Sequence, residues 1–476
     1  MRVVVIIMAL LFEVLVTNAQ TYTDISSATG FNLILRSDST VWGWGNNLSG
    51  QLGTGDTIMV TSPRPLDISR KWIAISGGGF HRIGLMADST LWGCGLNANY
   101  QLGISAITSV DTMMQLSAKH WRLIKAGSFN SAAIRNDGTL WMAGYNVYGM
   151  LGSGDTVTRT GFVCPDSNVK DWKTISVGGS HVLAIKNNGS LWAWGDNSKG
   201  EVGLGDTKDL YLKPTQIGKD TDWEQVSAGF FYSLALKKDG TLWSWGDNSY
   251  YELGRTTTGI MDTVITKVSN DTDWVSASTG CIFAFALKKD GTLWGWGNNV
   301  SGQLGISLSI GSVTSPQQVG SDNDWKLICA EQGLSFSAGS FVGTESNGLK
   351  DSAKSVCTAG SNQNAELGNG SLGGPDQDYF SCSTAPVERV PINDLKDNIQ
   401  VFPNPALDQV NINISPGIYS DKMKIVVEDV NGHVLINRFS TGKNIITLNI
   451  SALIPGLYFI RITNKENVFV SKLTKL

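Results

Sequence analysis

Histidine and charged residues are both scarce in this chain. Four histidines occur among 476 residues, and Asp, Glu, Lys and Arg together make up 16% of the sequence. The histidines are scattered, at His81, His120, His181 and His433. Such spacing matches neither a metal site nor a Ser-His-Asp arrangement. We therefore predict no metal, no cofactor and no catalytic residues.

The chain also lacks a basic region of the kind that binds nucleic acid. Residues 396–476 contain nine Lys or Arg and six Asp or Glu, and the whole chain has a net charge of −4, so residues 1–395 carry about −7. Contacts with phosphate groups require a cationic surface. A nucleic-acid partner is therefore not expected.

Long hydrophobic runs are absent after residue 20. Before it, a basic Arg2, an apolar stretch and the sequence Thr17-Asn18-Ala19 predict a cleavable signal peptide over residues 1–19. The apolar stretch is too short to span a bilayer comfortably. We expect a secreted monomer without an integral membrane span.

The six cysteines form no CxxC pair and share no common position in the repeat described below. Export permits disulfides. Cys281 and Cys329 fall near equivalent strands of neighbouring repeats and could pair, but sequence alone leaves the connectivity open. Most of the six are expected to be buried thiols.

Tryptophan, by contrast, is abundant and regular, and all 16 residues fall in three repeating positions. The first position recurs at intervals of 50, 49, 51, 51 and 51 residues, which indicates repeat architecture. Its members are Trp42, Trp92, Trp141, Trp192, Trp243 and Trp294. The second position holds Trp44, Trp194, Trp245 and Trp296, and the third holds Trp72, Trp121, Trp172, Trp223, Trp274 and Trp325.

A second signature, Gly-x-Asn followed by an apolar-Gly pair, occurs seven times with identical internal spacing. It begins at Gly45, Gly95, Gly144, Gly195, Gly246, Gly297 and Gly360. Each unit reads as four short strands, two of them joined in most units by Asp-Gly or Asn-Gly, which favour tight hairpin turns. One such unit cannot bury its faces alone, whereas seven in a ring can. The sequence predicts an all-β chain with a seven-bladed β-propeller of ~51-residue repeats over residues 20–390. Whether a shared strand closes the ring is left open.

The segments "VWGWGNNLSGQLG", "LWSWGDNSYYELG" and "LWGWGNNVSGQLG" resemble the repeat of the regulator of chromosome condensation family. The resemblance covers roughly residues 22–388 and implies a seven-bladed propeller. The founder of that family is a nucleotide exchange factor for the GTPase Ran and binds chromatin. Neither role is expected here, because a fold does not carry its function with it and export would separate the chain from cytosolic GTPases.

The last 80 or so residues contain no Trp and no 51-residue period, and they read as a small immunoglobulin-like β-sandwich over residues 396–476. Four motifs, "VFPNP", "DVNGHVL", "GLYFIRI" and "SKLTK", resemble the type A C-terminal sorting domain of the type IX secretion system. The resemblance implies contact with that secretion machinery, and release or attachment at the outer cell surface. The motif residues are Pro403, Asn404, Pro405, Gly432, Gly456, Leu457, Tyr458 and Lys472.

Residues that vary at equivalent points of the repeat are the candidates for partner binding. Large residues follow the first strand of several units and are expected near one rim of the propeller, where aromatic anchors suit protein recognition. They are Phe80, His81, Phe129, Asn130, His181, Phe231, Tyr232 and Phe283. The alternative is that these side chains fill the space between blades. A second candidate is an insertion in unit seven, Ser340–Lys354, since long loops on rigid scaffolds often carry function.

We predict a secreted or cell-surface protein that binds an unknown protein or glycan through its propeller and catalyses nothing. One alternative is a secreted enzyme inhibitor, because the type II β-lactamase inhibitor protein resembles this propeller class. Others are a glycan-binding adhesin and a polysaccharide-active enzyme that uses the propeller channel. An enzyme would need acid and base residues that break the repeat, and none stands out in the sequence.

Overall fold

The chain folds entirely into β-strands over the part that the computed structural model describes. Those residues are 21–67, 70–105, 107–118, 120–307, 309–330, 345–350, 355–360, 367, 377–384 and 399–475, the last range with gaps at 403–406, 415–422, 430–433, 441–444, 455 and 464–467. The contacts divide the chain into two units, Met1–Thr384 and Ala385–Leu476. The predicted signal peptide, residues 1–19, lies outside the described residues.

The first unit contains seven four-stranded antiparallel sheets, which are the blades of the predicted propeller. Blade one has β1 (Tyr22–Ala28), β2 (Phe31–Arg36), β3 (Val41–Gly45) and β4 (Val60–Asp67). Blade two has β5 (Trp72–Gly77), β6 (His81–Met86), β7 (Leu91–Leu96) and β8 (Ser109–Ser117). Blade three has β9 (Trp121–Ala126), β10 (Asn130–Arg135), β11 (Leu140–Gly144) and β12 (Arg159–Val163).

The remaining four blades follow the same order. Blade four has β13 (Trp172–Val177), β14 (His181–Lys186), β15 (Leu191–Asp196) and β16 (Leu210–Ile217). Blade five has β17 (Trp223–Ala228), β18 (Tyr232–Lys237), β19 (Leu242–Asp247) and β20 (Met261–Lys267). Blade six has β21 (Trp274–Thr279), β22 (Phe283–Lys288), β23 (Leu293–Asn298) and β24 (Ser312–Gln318), and blade seven has β25 (Trp325–Ala330), β26 (Glu345–Lys350), β27 (Ser355–Gly360) and β28 (Gln377–Thr384).

The predicted Asp-Gly turns join the second and third strands. In blade five the Asp239 carboxylate accepts hydrogen bonds from the backbone N–H and the hydroxyl of Thr241, at 3.0 and 2.7 Å. Gly240 adopts a φ of +77°, and a Cβ there would lie 2.1 Å from the Thr272 carbonyl oxygen of the next connection. Only glycine fits this turn without strain.

Tryptophans of the second position join blades four, five and six to the blade before them. The indole N–H of Trp194 donates to the Met150 carbonyl at 2.8 Å, and Trp296 donates to the Glu252 carbonyl at 2.7 Å. Trp245 makes the equivalent bond at 2.6 Å, and all three side chains are fully buried. In blade two, Cys94 stands in this position and its thiol lies 3.4 Å from the equivalent carbonyl, that of Gln51. Blade two therefore keeps a hydrogen-bond donor at this position, whereas blade three has Ala143 there.

The innermost strands are joined by serine side chains around the central channel. Ser227 Oγ accepts the backbone N–H of Thr279 in the next blade at 3.0 Å, and the same contact recurs between other pairs of blades. In four further pairs the serine Oγ of one blade accepts a backbone N–H of the next: Ser26 from Gly77, Ser76 from Ala126, Ser176 from Ala228 and Ser278 from Ala330. In blade seven Cys329 occupies the serine position, and its carbonyl accepts the hydroxyl of Ser27 in blade one at 3.1 Å.

The ring closes without a shared strand. Blade seven takes all four strands, β25 to β28, from one continuous segment, and blade one does the same with β1 to β4. The two blades meet through the Cys329–Ser27 contact and through a common apolar cluster that includes Ile25, Leu349 and Val356. This answers a question that the sequence leaves open.

The predicted insertion in blade seven is placed differently by the structure. Strand β26 lies inside the segment Ser340–Lys354 and pairs with β25, so much of that segment is part of the sheet and not a loop. The extra residues instead precede β26: β25 ends at Ala330 and β26 begins at Glu345, whereas in blade six only three residues separate β21 from β22. The prediction was wrong because no Asp-Gly turn marks this hairpin. Residues 340–344 and 351–354 lie outside the described residues.

One disulfide joins Cys357 on β27 to Cys382 on β28, where the two residues face each other in the sheet. Cys281 and Cys329, the pair that the sequence suggests, form no disulfide, and neither do Cys94 and Cys164. Cys94 and Cys281 are buried, while Cys164 and Cys329 are partly exposed. The sequence could not reveal the pairing, because Cys382 lies in a segment without repeat markers.

The second unit consists of two antiparallel sheets. One contains β29 (Ile399–Phe402), β30 (Gln409–Ile414) and β33 (Ile445–Asn449). The other contains β31 (Met423–Asp429), β32 (Val434–Ser440), β34 (Gly456–Thr463) and β35 (Val468–Lys475). Buried residues of both sheets, such as Ile412, Ile425 and Leu448, share one apolar cluster. The immunoglobulin-like character of this arrangement stays a prediction.

We expect the Trp296→Phe substitution to lower the free energy of unfolding by about 2–4 kcal/mol, because it leaves a cavity and an unpaired buried carbonyl. Trp294→Phe is the matched control: its indole is half-buried and donates within its own hairpin, to Thr292 at 2.9 Å. Urea denaturation of both variants measures the difference. Equal losses would show that the bond between blades contributes nothing beyond ordinary burial.

Candidate binding face

The predicted rim residues separate into two groups in the structure. Five of them are the first residues of second strands and are at most 1% exposed: His81, Asn130, His181, Tyr232 and Phe283. Their side chains point into the blade interfaces, as in the Tyr232 hydroxyl's hydrogen bond to the Gly280 carbonyl of blade six at 3.2 Å. These five residues cannot contact a partner, so this part of the prediction was wrong. Side chains alternate along a strand, and the residue that opens each second strand points inward.

The other three predicted residues, Phe80, Phe129 and Phe231, lie one position earlier, in the turns between first and second strands. Each is partly exposed. Since the turn after the first strand and the loop after the third strand lie at the same end of a blade, these phenylalanines share one end of the propeller with the loops that follow the Gly-x-Asn signature. Their role in binding a partner stays a prediction.

Those loops expose further large apolar side chains, which sequence analysis missed. Their exposed fractions lie between 40 and 68%, and the residues are Leu48, Val147, Tyr148, Tyr250, Tyr251 and Val300. A signal existed in the repeat: the second residue after the signature asparagine is Ser49, Asn99, Tyr148, Lys199, Tyr250 and Ser301 in successive units. We call Phe80, Phe129, Tyr148, Phe231, Tyr250 and Tyr251 the aromatic face.

Ring contacts hold parts of the aromatic face together. Phe129 packs edge-on against Tyr145, which in turn packs against Tyr148, with ring centroids 6.4 and 6.1 Å apart. Two blades further on, Phe230 and Phe231 meet edge-on at 4.4 Å. Such T-shaped pairs add to the stabilisation that burial provides. Phe129, Tyr148 and Phe231 are therefore each supported by a neighbouring ring.

Below the loops of blades one, four, five and six lies a buried polar pair, and its chemistry changes around the ring. In blade six, Gln303 Nε2 donates to Asn298 Oδ1 at 3.0 Å, and Gln303 Oε1 accepts the backbone N–H of Ser301 at 3.0 Å. In blade four the equivalent pair is Asp196 and Glu201, and in blade five it is Asp247 and Glu252. Two acids thus replace two amides in adjacent blades.

The glutamates of these pairs accept a loop N–H group as Gln303 does, but their pKa values are strongly raised. Glu201 and Glu252 accept loop N–H groups from Lys199 and Tyr250, both at 2.8 Å. Burial, and then the neighbouring Asp196, raise the pKa of Glu201 to about 8. Burial, followed by Asp247, likewise raises the pKa of Glu252 to about 8.

The two blade-interface histidines are also buried, and they do not meet. The Nε2 atoms of His81 and His181 lie 2.9 and 2.7 Å from the hydroxyls of Ser131 and Ser233 respectively. Burial lowers the pKa of each imidazole to about 3. Within the described part of the chain, no group of three or more His, Cys, Asp or Glu side chains could hold a metal ion.

The central channel is a cavity of about 260 Å³ lined by the first strands of all seven blades. Two of its residues break the repeat: Lys125 stands where five blades have serine, and Asp24 stands where other blades have neutral side chains. Burial raises the pKa of Asp24, while the positive charge of Lys125 and a hydrogen bond from the N–H of Ile25 oppose this rise. Asp24 is the sole carboxylate among the described residues that line the channel.

The sorting-domain motifs lie partly in strands. Gly456, Leu457 and Tyr458 open β34, and Lys472 lies in β35. Tyr458 is buried, and its hydroxyl donates to the Ile454 carbonyl at 2.7 Å. The remaining motif residues, Pro403, Asn404, Pro405 and Gly432, lie outside the described residues. None of the described residues forms a helix long and apolar enough to cross a bilayer.

Comparison with protein families matches these features. The regulator of chromosome condensation (RCC1) repeat matches residues 38–85, 188–236, 239–287 and 290–338, and a second family of the same repeat matches 172–201 and 223–252. RCC1 repeats are thus found in four repeat-length segments of the propeller. Residues 400–475 match a secretion system C-terminal sorting domain. Both predicted resemblances are thereby confirmed, and the second supports export through the type IX system to a secreted or cell-surface location.

Similar proteins share the repeat over part of their length. The human "Probable E3 ubiquitin-protein ligase HERC6" is 36% identical over 137 residues, which are 28% of this chain and 13% of that protein. The Arabidopsis thaliana "Ultraviolet-B receptor UVR8" is 28% identical over 34% of this chain and 38% of its own length. Since this chain spans well under half of either relative, their activities do not carry over.

Solved structures agree with the fold. Human WBSCR16 superposes with a TM-score of 0.63 at 20% identity, over 73% of this chain and 95% of its own. Prp20p from Saccharomyces cerevisiae, whose binding to Gsp1p and histones is described with its structure, superposes with the same TM-score at 18% identity, over 76% of this chain and 87% of its own. At these identities the likeness concerns the fold alone.

The buried acids and histidines predict a pH-dependent stability. Glu201 and Glu252 stabilise the fold while protonated, so stability is lost as the pH rises from the ordinary value of 4.5 toward about 8. His81 and His181 stabilise it while neutral, so stability is lost as the pH falls from 6.5 toward about 3. Between pH 6.5 and 8 the pH dependence of stability therefore comes from the two glutamates and not from the histidines.

We expect the free energy of unfolding to fall by about 2 kcal/mol per glutamate between pH 6.5 and 8, at 1.36 kcal/mol per unit. The Glu201→Gln/Glu252→Gln double variant, which copies Gln303, should show a flat profile over this range. Urea unfolding at a series of pH values measures both. A profile equally steep in the double variant would contradict the assignment.

Proposed function

We propose that this chain is an exported, non-enzymatic binding protein whose propeller presents the aromatic face to a partner protein. The observation that carries the proposal is the group of exposed tyrosines, Tyr148, Tyr250 and Tyr251, at one end of a rigid ring. Exposed apolar patches of this kind mark interaction sites, and aromatic residues are enriched among those that dominate binding energy. Inhibition of a secreted enzyme would be one form of this function.

A non-enzymatic role is supported by how the repeat uses its reactive residues. His81 and His181 are fixed to serines inside blade interfaces, and Asp24 has Lys125, rather than a second carboxylate, as its charged neighbour in the channel. General acid and base catalysis needs paired groups within reach of a substrate. The net negative charge of residues 1–395 similarly favours a protein over a nucleic acid as the partner.

Capture on the purified full chain, from envelope and medium fractions of the producing bacterium, tests the proposal. We expect one protein to be retained in stoichiometric amount. The Tyr148→Ala/Tyr250→Ala variant should weaken its binding by about 30-fold or more, the effect of losing about 2 kcal/mol at a central anchor. Val275→Ala is the control, because Val275 is half-exposed and lies at the opposite end of blade six.

Loss of binding in the control as well as in the tyrosine variant would contradict the aromatic face as the site. Retention of a polysaccharide and of no protein would replace the proposal with the glycan-binding alternative, since exposed aromatic rings also stack on sugars.

Export is expected to depend on the second unit. A chain that ends at residue 395 should accumulate in the periplasm with its propeller folded, because it lacks the sorting domain at residues 400–475. Immunoblots of medium and periplasmic fractions, with protease resistance as the test of folding, measure this outcome. Appearance of the shortened chain in the medium at the level of the full chain would contradict it.

A further inference from the structure

A pocket of about 240 Å³ opens on the propeller end that carries the aromatic face, between blades five and six. Its walls are apolar and aromatic: Phe230, Phe231 and Tyr250 come from blade five and Ile282 from blade six. Its other lining residues include Asp247 and Glu252. The pocket therefore combines rings at its walls with acids in its lining.

The acids are not required by the fold. Blades one and six place amides at the same two positions, Asn46 with Gln51 and Asn298 with Gln303. In blade five both positions carry acids, which are at most 8% exposed. Tyr250 N–H donates to Glu252, and the Ser249 hydroxyl donates to Asp247, each at 2.8 Å. Burying two acids side by side costs free energy that the amide pair avoids.

We propose that this pocket binds a cationic side chain, lysine or arginine, of the partner protein. The inference rests on the proposed function and names the chemistry that the aromatic face recognises. A cation gains from the faces of aromatic rings and from the carboxyl groups together. An apolar side chain would cover the acids without compensating them, and burying an unpaired charge is expensive. Charge complementarity thus selects a cation over an apolar anchor.

Lys199, from the loop of blade four, also lines the pocket. Its ammonium carries the same charge as an incoming cation and should therefore weaken the binding of that cation. Blades one and six have Ser49 and Ser301 at the equivalent position, so the Lys199→Ser substitution is compatible with the loop. It should tighten the binding of a cation, which a merely destabilised pocket could not do.

Cation binding should also depend on pH. Burial raises the pKa of Glu252 to about 8, so its carboxyl group loses its proton between pH 7 and 9. Because the ionised carboxylate attracts a cation, affinity for the cation should rise over the same pH range. The groups that face Glu252 are Asp247, Lys199, Tyr250, Cys281 of blade six and the Tyr232 phenol. Burial raises the pKa of Tyr232 well above its ordinary value, so that phenol stays neutral. In Glu252→Gln the rise in affinity should disappear.

The direct test is titration of the full chain with N-acetyl-lysine methylamide and N-acetyl-arginine methylamide, followed by NMR. N-acetyl-norleucine methylamide, which lacks the charge, is the matched probe. We expect at least one cationic probe to bind with a Kd on the order of 1 mM and norleucine to bind at least tenfold more weakly. The Asp247→Asn/Glu252→Gln variant should lose about tenfold in affinity for the cation, and Lys199→Ser should gain.

The control variant is Asp196→Asn/Glu201→Gln, which removes the same acids from blade four, whose pair does not line this pocket. Its affinity for the cationic probe should match that of the unsubstituted chain. Equal binding of norleucine and lysine, or equal losses in the two double variants, would overturn the proposal. Thermal unfolding checks that each variant is folded.

The outcomes also separate this inference from the proposed function. If the captured partner binds Asp247→Asn/Glu252→Gln as tightly as it binds the unsubstituted chain, the pocket proposal fails while the binding function stands. If the cationic probes bind as expected but no protein is captured, the proposed function fails while the pocket remains a cation site.

Discussion

Packing between neighbouring blades holds the propeller together, and in blades four to six it includes a hydrogen bond from a buried indole into the preceding blade. A four-stranded sheet cannot bury both of its faces, so each blade is stable only against its neighbours. Trp194, Trp245 and Trp296 fill the interface and donate to the carbonyl that ends the preceding blade's exposed loop. In these blades the same bond therefore packs the interface and fixes the loop of the preceding blade. Inside the ring, the serine contacts around the channel repeat this coupling from strand to strand.

Once the loops are fixed, their exposed side chains can differ from blade to blade. This explains why Tyr148, Lys199 and Tyr250 occupy equivalent positions in successive blades. It also explains how acids can replace amides beneath two of these loops, since the glutamates still accept the same backbone N–H groups that Gln303 accepts in blade six. The irregular chemistry is concentrated where the framework tolerates it, which is what a recognition surface on a repeat scaffold requires.

The sequence predicted most of the framework and little of the site. The tryptophan period, the Asp-Gly turns and the Gly-x-Asn signature define seven blades because each reflects a local requirement repeated seven times. The direction of a side chain at a strand's first residue is not encoded in that period, and for this reason His81, Tyr232 and Phe283 were placed on the rim although they are buried. Tyr250 was missed because it lies in the loop after the signature asparagine, whereas the predicted rim residues follow the first strand of each blade. Blade seven departs from the pattern in both its long first connection and its disulfide, which no repeat could anticipate.

Tyrosine footprinting shows whether a partner covers the aromatic face when the chain is in place outside the cell. The full chain is iodinated once after purification and once in place on the cells or in the medium, and modified tyrosines are quantified by mass spectrometry. Tyr379, which is 63% exposed on the outer strand of blade seven, serves as the internal reference. We expect Tyr148, Tyr250 and Tyr251 to be protected from iodination in place, relative to Tyr379. Equal modification of all four tyrosines in both states would contradict it.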